Sequence, residues 1–528
     1  MSTESVFAPF RKNIVGFDAT MPLFDGRMAP IVYADWTASG RLYRPIEDFM
    51  LREIGPLVAN THTETTYTGT AMTRAYHRAR DIIKRHVNAG PDDSLIFTGF
   101  GMTAAINKLQ RILGIRMPEG CPKGCHEGSR PLVYVTHMEH HSNQITWEEC
   151  DVDVRIIPRD DSTGLPDLAW LEGSLKEDRD RPLLIGAFTA GSNVTGLLTP
   201  YGKMAALMHR HGGLCFVDFA AAAPYIDIDM HPGQRQKPSA FDAGQEDESL
   251  DAITFSPHKF LGGPGSSGVL ILHNSLYRRV VPDQPGGGTV KWTTPFGTHR
   301  YFDNIEARED GGTPGFLQAI RAALAIEVKE AMGTMAIRER EKEILDIIIA
   351  EFREEPSIML LEGGNLDRLG ILSFYAPGEH HNLIVRLLND RFGVQTRGGC
   401  SCAGTYGHIL FNIGKTTSLH ITELIDSGDL SEKPGWVRVS VHPTMTDSEA
   451  RHVGRSVVET IRHYREWGED YVFEKESGEF LPKAKTCVPK EQTFSPSAKT
   501  PRPGHGADSS AGGEAIAEPD LLSGFSPL

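Results

Sequence analysis

The chain has 528 residues and a formal net charge of −15, because 69 Asp and Glu outnumber 54 Lys and Arg. Nucleic-acid binding requires a basic face, so we expect no nucleic-acid partner. No apolar run approaches the roughly 18–20 residues of a membrane-spanning helix, and we expect no membrane association. The first residues, MSTESVFAPFRKN, contain no apolar signal-peptide core, and seven cysteines are too sparse for a disulfide scaffold. We therefore expect a cytoplasmic protein.

Between residues 92 and 275, short apolar runs alternate with amphipathic helical patterns. The predicted strands are 94–97, 132–136, 183–189, 214–219, 252–255 and 268–272, and the helical patterns include 103–113 and 202–210. This alternation predicts an α/β fold, in which helices cover both faces of a mostly parallel sheet. Ligands of such sheets bind beyond the carboxyl ends of the strands.

The second half of the chain has a different pattern. Residues 316–353 predict a long helix pair, and 354–470 predict a smaller α+β unit that ends in the amphipathic segment 447–467. From about residue 476 the chain is rich in Pro, Gly, Ser and Ala and poor in large apolar residues. That composition is typical of a disordered segment.

Polar residues follow four of the predicted strands, where the chain leaves the sheet. Lys259 comes after strand 252–255 in the motif FSPHK, and Asp218 lies in the run LCFVDF. The turn TGFGMTAAIN (98–107) leads from one strand into a helix, and MEHHSN (138–143) follows another strand. Because the carboxyl ends of parallel strands share one edge of a sheet, we expect these residues to line one site.

Together these residues describe a single ligand. A glycine-containing turn that opens a helix binds anions; Thr103 adds a hydroxyl, and Ser256 and His258 could add donors, which suits a phosphate. A carboxylate such as Asp218 pairs with a protonated ring nitrogen, and a histidine stacks on a ring. A lysine whose pKa is lowered forms a Schiff base with an aldehyde. These residues therefore predict a ligand with a phosphate, a protonated pyridine ring and an aldehyde, and pyridoxal 5′-phosphate has all three.

Each of these residues also has an ordinary interpretation. Lys259 alone could be a solvated loop lysine, Asp218 a turn cap and the GFGMT segment a simple tight turn. His140 and His141 could be packed or surface histidines, which is the interpretation we favour for His141. The occurrence of all the motifs together, in this order and at strand ends, favours the coenzyme site.

Eight short motifs occur along the chain: GMTAAIN, MEHHSN, SNVTG, VDFAAA, FSPHK, GGG (286–288), GGTPG and RGGCSC. Over residues 32–446 the chain resembles class V aminotransferase-fold enzymes that use pyridoxal 5′-phosphate, most closely the cysteine desulfurase and selenocysteine lyase group. The resemblance implies PLP-dependent transferase fold type I, with a large, mostly parallel sheet domain and a smaller α+β C-terminal domain.

We divide the chain accordingly. Residues 1–45 form an N-terminal segment that packs on the small domain, and 46–330 form the large coenzyme-binding α/β domain. Residues 331–475 form the small C-terminal α+β domain, and 476–528 form a disordered tail.

The resemblance also implies roles for individual residues. Lys259 is the Schiff-base lysine and the proton carrier, Asp218 keeps the pyridine nitrogen protonated, and His140 stacks on the ring. The phosphate-binding residues of the turn and of the lysine loop are Met102, Thr103, Ser256 and His258. Asn193 lies near the ring hydroxyl and the substrate carboxylate. Thr313 matches a position that reaches the phosphate in a neighbouring subunit, which implies a homodimer.

The chain departs from the resembled pattern in three places. Ala221 stands where these enzymes usually have a glutamine beside the ring oxygen. A polar insert, 229–249, separates Asp218 from Lys259, and 407–435 is a second expansion. Without that glutamine, the sequence leaves open which group sets the pKa of the Schiff base between Lys259 and the coenzyme.

The segment TRGGCSCAGTYGH (396–408) indicates the type of reaction. By resemblance, Cys402 aligns with the desulfurase nucleophile, five residues after Arg397. Arg397 can clamp an α-carboxylate with two hydrogen bonds. A thiolate on a mobile loop can then attack the γ-sulfur of L-cysteine, which gives a Cys402 persulfide and alanine. Arg438 matches a second active-site arginine, and Cys400 either relays sulfur or only packs.

Other interpretations of these cysteines remain open. A metal site would need a second pair with suitable spacing, and CPKGCH (121–126) has poor spacing, so we expect no metal. Both cysteines could instead be small core residues in a glycine-rich loop. The pattern also resembles the GCxC motif of molybdenum-cofactor sulfurases, whose separate sulfur-delivery domain has no counterpart here.

We therefore predict a desulfurase-like enzyme that acts on cysteine or selenocysteine and has a possible protein sulfur acceptor. The alternative is a class V aminotransferase, epimerase or C–S lyase without a cysteine nucleophile, which Ala221 and the inserts make credible. A binding protein without catalytic activity is a third hypothesis, and the presence of both Lys259 and Asp218 argues against it.

Overall fold

The computed structural model describes residues 3–117, 129–233, 246–483 and 521–528. The helices are α1 (Glu4–Arg11), α2 (Arg44–Phe49), α3 (Tyr67–His86), α4 (Met102–Ile112), α5 (His141–Glu148), α6 (Leu168–Glu177), α7 (Tyr201–Arg210), α8 (Ile305–Glu309), α9 (Phe316–Met332), α10 (Thr334–Phe352), α11 (His381–Phe392), α12 (Gly404–Leu410), α13 (Lys415–Asp426), α14 (Asp447–Arg462) and α15 (Tyr464–Gly468). The strands are β1 (Thr20–Pro22), β2 (Met28–Pro30), β3 (Val32–Tyr33), β4 (Asp93–Thr98), β5 (Leu132–Thr136), β6 (Asp153–Ile157), β7 (Leu184–Thr189), β8 (Leu214–Asp218), β9 (Ala252–Phe255), β10 (Gly268–His273), β11 (Val290–Thr293), β12 (His299–Tyr301), β13 (Met359–Leu360), β14 (Ile371–Tyr375), β15 (Val394–Gln395), β16 (Arg397–Gly399), β17 (Trp436–Ser440), β18 (Tyr471–Glu474) and β19 (Glu479–Pro482).

The largest sheet has seven strands in the order β4-β10-β9-β8-β7-β5-β6. β10 runs antiparallel to both β4 and β9, and the other neighbouring pairs are parallel. β4 and β9 therefore point the same way as the parallel strands, and the carboxyl ends of all strands except β10 lie at one edge. The predicted mostly parallel α/β sheet is confirmed.

Helices pack on both faces of this sheet. Successive residues of β10 show the two faces, because Val269 and Leu270 belong to different apolar clusters. α3 and α9 contribute to the cluster on one face, and α4 and α5 contribute to the cluster on the other. Strands buried on both faces are apolar along their whole length, which is why they were predictable from short apolar runs.

One strand of the sheet is not predicted by the sequence pattern. β6 lies at the edge of the sheet and pairs only with β5. Its side chains are mostly half-exposed, and Arg155 interrupts its apolar residues. An edge strand does not need the continuous apolar run by which the central strands are recognised.

A second unit is built on the sheet β13-β14-β17-β16, whose neighbouring strands are all antiparallel. α10, α11 and α14 cover it, and their buried residues form one apolar cluster with those of β14 and β17. The predicted helix pair at 316–353 consists of α9 and α10, which are separated at Gly333. That residue has φ +76°, a conformation that favours glycine.

The N-terminal segment contacts the second unit. Thr3 Oγ1 donates to Glu343 on α10 over 2.8 Å, and Arg11 pairs with Glu449 on α14 at 2.7 Å. β3 adds a parallel strand partner to β15, with Val32 opposite Val394. The segment also contributes Trp36 and Tyr43 to the core of the larger unit.

The C-terminal region differs from the predicted disordered tail where the structure describes it. The predicted boundary falls inside the hairpin β18–β19, which pairs residues 471–474 with 479–482. Phe525 packs edge-on against Phe49 at a ring-centroid distance of 5.4 Å, and Tyr43 Oη donates to the Pro527 carbonyl. Composition misses this contact because a few apolar residues follow a long polar stretch. The rest of the predicted tail, 484–520, lies outside the described residues.

Among the helices of the described segments, none combines the length and the hydropathy needed to cross a lipid bilayer.

Candidate active site

A cavity of about 930 Å³ lies at the carboxyl ends of the central strands. Nine of the predicted site residues line it, namely Met102, Thr103, His140, Asn193, Asp218, Ser256, His258, Lys259 and Thr313. Arg397, Arg438 and Cys402 are carried by the second unit, and the charges of all three act on the pKa of Lys259. The large sheet thus bounds the cavity, and groups carried by the smaller unit lie near enough to affect the pKa of Lys259.

The turn before α4 is held against the lysine loop. Ser256 Oγ accepts a hydrogen bond from the backbone N–H of Met102 over 2.8 Å, and His258 Nδ1 donates to the Phe100 carbonyl over 2.8 Å. A Cβ at Gly101 would lie 3.0 Å from Ser256 Oγ and from the His258 ring, so a larger residue would push these side chains away from the turn. The first turn of α4 consequently presents the positive end of its helix dipole to the cavity.

The hydroxyl of Thr103 lies beside a second hydroxyl. Thr103 Oγ1 and Ser142 Oγ are 2.7 Å apart, which places the start of α5 next to the start of α4. Two helix N-termini with adjacent hydroxyl groups form a suitable site for an anion such as a phosphate.

Lys259 ends a short 3₁₀ turn, Pro257–Lys259, that follows directly on β9. The backbone N–H of Gly40 donates to the His258 carbonyl over 2.9 Å, and a Cβ at Gly40 would overlap the Phe260 carbonyl oxygen. The pKa of Lys259 is lowered to about 8, mainly by burial and also by the charges of Arg438 and Arg397, whereas Asp218 opposes the shift. A lysine in this setting is neutral in an appreciable fraction of molecules near neutral pH and can act as a nucleophile or base.

Asp218 is the last residue of β8 and is 5% exposed. Burial raises its pKa to about 6, while the backbone N–H of Ala220, which donates to Oδ1 over 2.8 Å, and the charge of Lys259 favour the ionised carboxylate. A buried carboxylate with so few partners is ready to pair with a cationic ring nitrogen in the cavity.

His140 precedes α5 and caps it. Its Nδ1 accepts a hydrogen bond from the Ser142 N–H over 3.1 Å, which leaves the ring proton on Nε2. Burial lowers the pKa of His140 to about 3, and the nearby charge of Lys259 lowers it too. The imidazole is therefore neutral, as a ring that stacks on a pyridine should be.

The two predicted arginines have different surroundings, although they are cross-strand neighbours on β16 and β17. Arg397 is exposed. Arg438 is 2% exposed, and its guanidinium donates to Asp35 over 2.6 Å and to the Asn193 carbonyl over 3.1 Å. Arg397 is free to take a substrate carboxylate, whereas Arg438 is already engaged in joining the two units.

Cys402 lies in a short loop between β16 and α12. Ser401 and Cys402 have positive φ values of 49° and 58°, which L side chains rarely adopt. The side-chain amide of Asn193 donates to the Ser401 carbonyl over 2.8 Å. The cysteine that the sequence places on a mobile loop is therefore carried by a loop that is hydrogen-bonded to the large unit.

Ala221 also lines the cavity. Its methyl group offers no hydrogen bond, so the position at which the resemblance implies a glutamine is apolar. In the described parts of the chain, no group of three or more His, Cys, Asp or Glu side chains is arranged to hold a metal ion. The CPKGCH segment lies outside the described residues.

Sequence reasoning missed three residues that contact this site. They are Asp35, which pairs with Arg438, Ser142, which contacts Thr103, and His141, whose backbone and ring both bond to the Cys402 loop. Asp35 lies within the span of the resemblance and Ser142 within the motif MEHHSN, but neither fact reveals which side chain a residue contacts across the fold.

Comparison with known proteins identifies the family of the chain. Residues 32–453 match the sequence model of the family described as aminotransferase class V, and the chain therefore belongs to the class V aminotransferase family. Among curated relatives, a probable cysteine desulfurase of Halalkalibacterium halodurans is 27% identical over 71% of this chain and 84% of its own length. A probable cysteine desulfurase of Staphylococcus aureus is also 27% identical, over 71% and 83% of the two chains.

Solved structures show the same fold. A cysteine desulfurase from Thermococcus onnurineus superposes with a TM-score of 0.66 at 20% identity and covers 86% of this chain and 98% of its own. The cysteine desulfurase CsdA from Escherichia coli gives a TM-score of 0.64 at 20% identity, with coverage of 86% and 98%. The predicted resemblance and the predicted fold type are confirmed.

We predict that Lys259 reacts with an acylating reagent at lower pH than an exposed lysine does. Only the neutral amine reacts, and a lowered pKa moves the rise of the neutral form to lower pH. In protein stripped of any bound coenzyme, the labelling of Lys259 should reach half its maximum near pH 8. Mass spectrometry of the labelled peptides measures this midpoint.

Lys342 serves as the internal control, because it is exposed and its hydrogen bond with Asp346 raises its pKa. The variant Asp218→Asn removes a charge that raises the pKa of Lys259, so its midpoint should lie below that of the wild type. Lys259 and Lys342 sharing one midpoint would contradict the assignment.

Proposed function

We propose that this chain is a pyridoxal 5′-phosphate-dependent, cysteine desulfurase-like enzyme that removes sulfur from L-cysteine, or selenium from selenocysteine, and releases alanine. The observation that carries the proposal is the position of Cys402. Its loop is hydrogen-bonded to Asn193 of the large unit, and Cys402 is near enough to Lys259 to affect the pKa of the lysine. The desulfurases among the relatives support the same chemistry.

The residues around the cavity fit the coenzyme. The N–H groups at the start of α4 suit its phosphate, as do the side chains of Thr103, Ser256, His258 and Thr313. Asp218 would hold the pyridine nitrogen, His140 would stack on the ring and Lys259 would hold the aldehyde carbon covalently. When bound, the coenzyme withdraws electrons from the carbon that bears the amino group of the substrate.

The two arginines would have different roles in substrate binding. Arg397 is exposed and without a carboxylate partner among the contacts described above, so it would clamp the substrate carboxylate with two hydrogen bonds. Arg438 would support the substrate site indirectly, because its own hydrogen bonds are directed to Asp35 and to the backbone of Asn193. The two hydrogen bonds from Arg397 would hold the α carbon of the amino acid within reach of Lys259.

Lys259 and Cys402 would carry out the steps on the substrate. The neutral amine of Lys259 takes the proton from the α carbon, and the Cys402 thiolate attacks the γ-sulfur. The Cys402 Sγ–S bond forms as the Cβ–S bond of the substrate breaks, and the electron pair left on carbon is protonated. Overall, one thiol and one L-cysteine give one persulfide and one alanine.

A second candidate keeps the coenzyme but dispenses with Cys402. Ala221 leaves the position of the usual glutamine without a hydrogen bond, and this departure favours a class V aminotransferase, epimerase or C–S lyase. Such an enzyme would consume an amino acid without forming sulfane sulfur on the protein. Amino transfer that depends on an added keto acid would support it.

The active protein would be a homodimer. The hairpin β11–β12 is an isolated two-stranded sheet, and Trp292 and Phe296 on it are 66% and 88% exposed. Two-stranded hairpins are marginal on their own, and exposed aromatic side chains are typical of interfaces. Thr313 already lines the cavity of its own chain, so the hairpin is the stronger argument for a second subunit.

The remaining partner is a protein thiol that accepts the sulfur, which would regenerate the Cys402 thiol. We place the protein in the cytoplasm, since Cys215, Cys400 and Cys402 are free thiols.

We predict that Cys402→Ser lowers the rate of alanine release from L-cysteine by at least about 100-fold, because it removes the nucleophile. Protein-bound sulfane sulfur should disappear in parallel, while the visible absorption of the coenzyme should remain. Cys400→Ser is the matched control and should stay close to the wild type. Equal turnover by Cys402→Ser and the wild type would rule out the persulfide mechanism.

We predict that the wild type sediments at twice the mass of the chain and that Trp292→Ser combined with Phe296→Ser weakens this association. The physical reason is the loss of apolar area at the proposed interface. Met335→Ser is the control, because Met335 is an equally exposed apolar residue, at 86%, on a different element, α10. Analytical ultracentrifugation measures the dissociation; a monomeric wild type would contradict the proposal.

A further inference from the structure

The loop that carries Cys402 is tied to the large unit on both sides of the cysteine. On the near side, Asn193 Nδ2 donates to the Ser401 carbonyl over 2.8 Å. At the cysteine itself, the backbone N–H of His141 donates to the Cys402 carbonyl over 2.8 Å. On the far side, the ring Nε2 of His141 accepts from the N–H of Gly404 over 2.8 Å. One histidine therefore bonds to the loop at two points that enclose Ala403.

The backbone of the loop needs such ties. Ser401 and Cys402 are consecutive residues with side chains, and both have positive φ. This conformation persists only where the surroundings determine it. Local hydrogen bonding contributes one contact, from Ala403 N–H to the Cys400 carbonyl. The three contacts to Asn193 and His141 come from the large unit and so also fix where the loop lies relative to the cavity.

His141 is well placed to link the loop to the site. It is the first residue of α5 and directly follows His140, which lines the cavity. A displacement of the loop would have to break its bonds to a helix that begins at the active site. The backbone bond of His141 survives any side-chain substitution, whereas the bond to Gly404 depends on an unprotonated ring nitrogen.

We propose that His141 is a positioning residue for Cys402: by accepting the Gly404 N–H, its ring holds the thiol at the cavity in the geometry needed to attack a substrate sulfur. This inference rests on the proposed function. It explains how a nucleophile on a short loop stays in place. Burial lowers the pKa of His141, and nearby Lys433 lowers it further, which keeps Nε2 available as an acceptor.

The role predicts a specific pattern of damage. Without the acceptor, the loop loses its tie on the far side of Cys402 and the thiol moves away from its reactive position. Displacement of a reacting group by about 1 Å can cost on the order of 100-fold in rate. Binding of the amino acid does not involve this tie, so the loss should appear in kcat more than in KM.

The test compares side chains at position 141 in the full-length holoenzyme. His141→Phe retains a ring but has no acceptor, His141→Ala removes the acceptor without adding bulk, and His141→Gln offers an acceptor of similar reach. His452→Phe is the matched control, because His452 also bonds through Nε2 to a backbone group, the Phe392 carbonyl, but is itself exposed and lies on α14.

Two readouts are measured for each variant: kcat and KM for alanine release from L-cysteine, and the rate at which iodoacetamide alkylates Cys402, followed by peptide mass spectrometry. His141→Phe and His141→Ala should lose roughly 30- to 100-fold in kcat with little change in KM, and Cys402 should be alkylated several-fold faster because the loop is released. His141→Gln should recover most of both properties, and His452→Phe should match the wild type.

The proposal is overturned if His141→Phe and His141→Ala alkylate at the wild-type rate or more slowly, or if His141→Gln is as impaired as they are. The alkylation readout does not require turnover. A wild type that releases no alanine from L-cysteine would defeat the proposed function, and the alkylation rates would still decide whether His141 holds the loop.

Discussion

Asp218 is buried and Lys259 half-buried at one edge of the sheet, and each shifts the pKa of the other. Burial favours the neutral form of both groups, since it lowers the pKa of the amine and raises that of the carboxyl. Their mutual attraction works against burial and keeps a usable fraction of each in the charged form. This balance is available because adjacent parallel strands, β8 and β9, end at the same edge, and no surface site could maintain it.

The second constraint is that the site has two halves carried by different units. The sheet carries the glycine turn, the carboxylate and the lysine, while the smaller unit carries both arginines and the cysteine. Arg438 joins the halves, because its buried guanidinium bonds to Asp35 of the N-terminal segment and to the backbone of Asn193. Asn193 in turn bonds to the cysteine loop. A buried charge that lost these partners would be costly, so the units are held in one relative position.

Much of this arrangement was predictable from the sequence, for physical reasons. Central strands such as β7 and β9 must be apolar on both faces, and polar residues at their carboxyl ends must therefore have some other purpose. Lys259 and Asp218 were recognised in this way. The edge strand β6 lacked that signal, and the C-terminal contact of Phe525 with Phe49 was hidden in a polar stretch.

What the sequence could not give is the direction of side chains across the fold. Arg438 matched a substrate-binding position, but its partners are other protein groups. His141 seemed the less important of two adjacent histidines, and only the three-dimensional path of the loop brings Gly404 to its ring. Such contacts join segments that are far apart in the chain and leave no periodic pattern in it.

The central claim is that the amine of Lys259 binds an aldehyde coenzyme covalently. Reduction of the purified protein with borohydride, followed by peptide mapping, tests it directly. The account predicts that a pyridoxyl group is fixed on the peptide that contains Lys259 and on no other. Recovery of that peptide unmodified, with the coenzyme lost or attached to a different lysine, would contradict it.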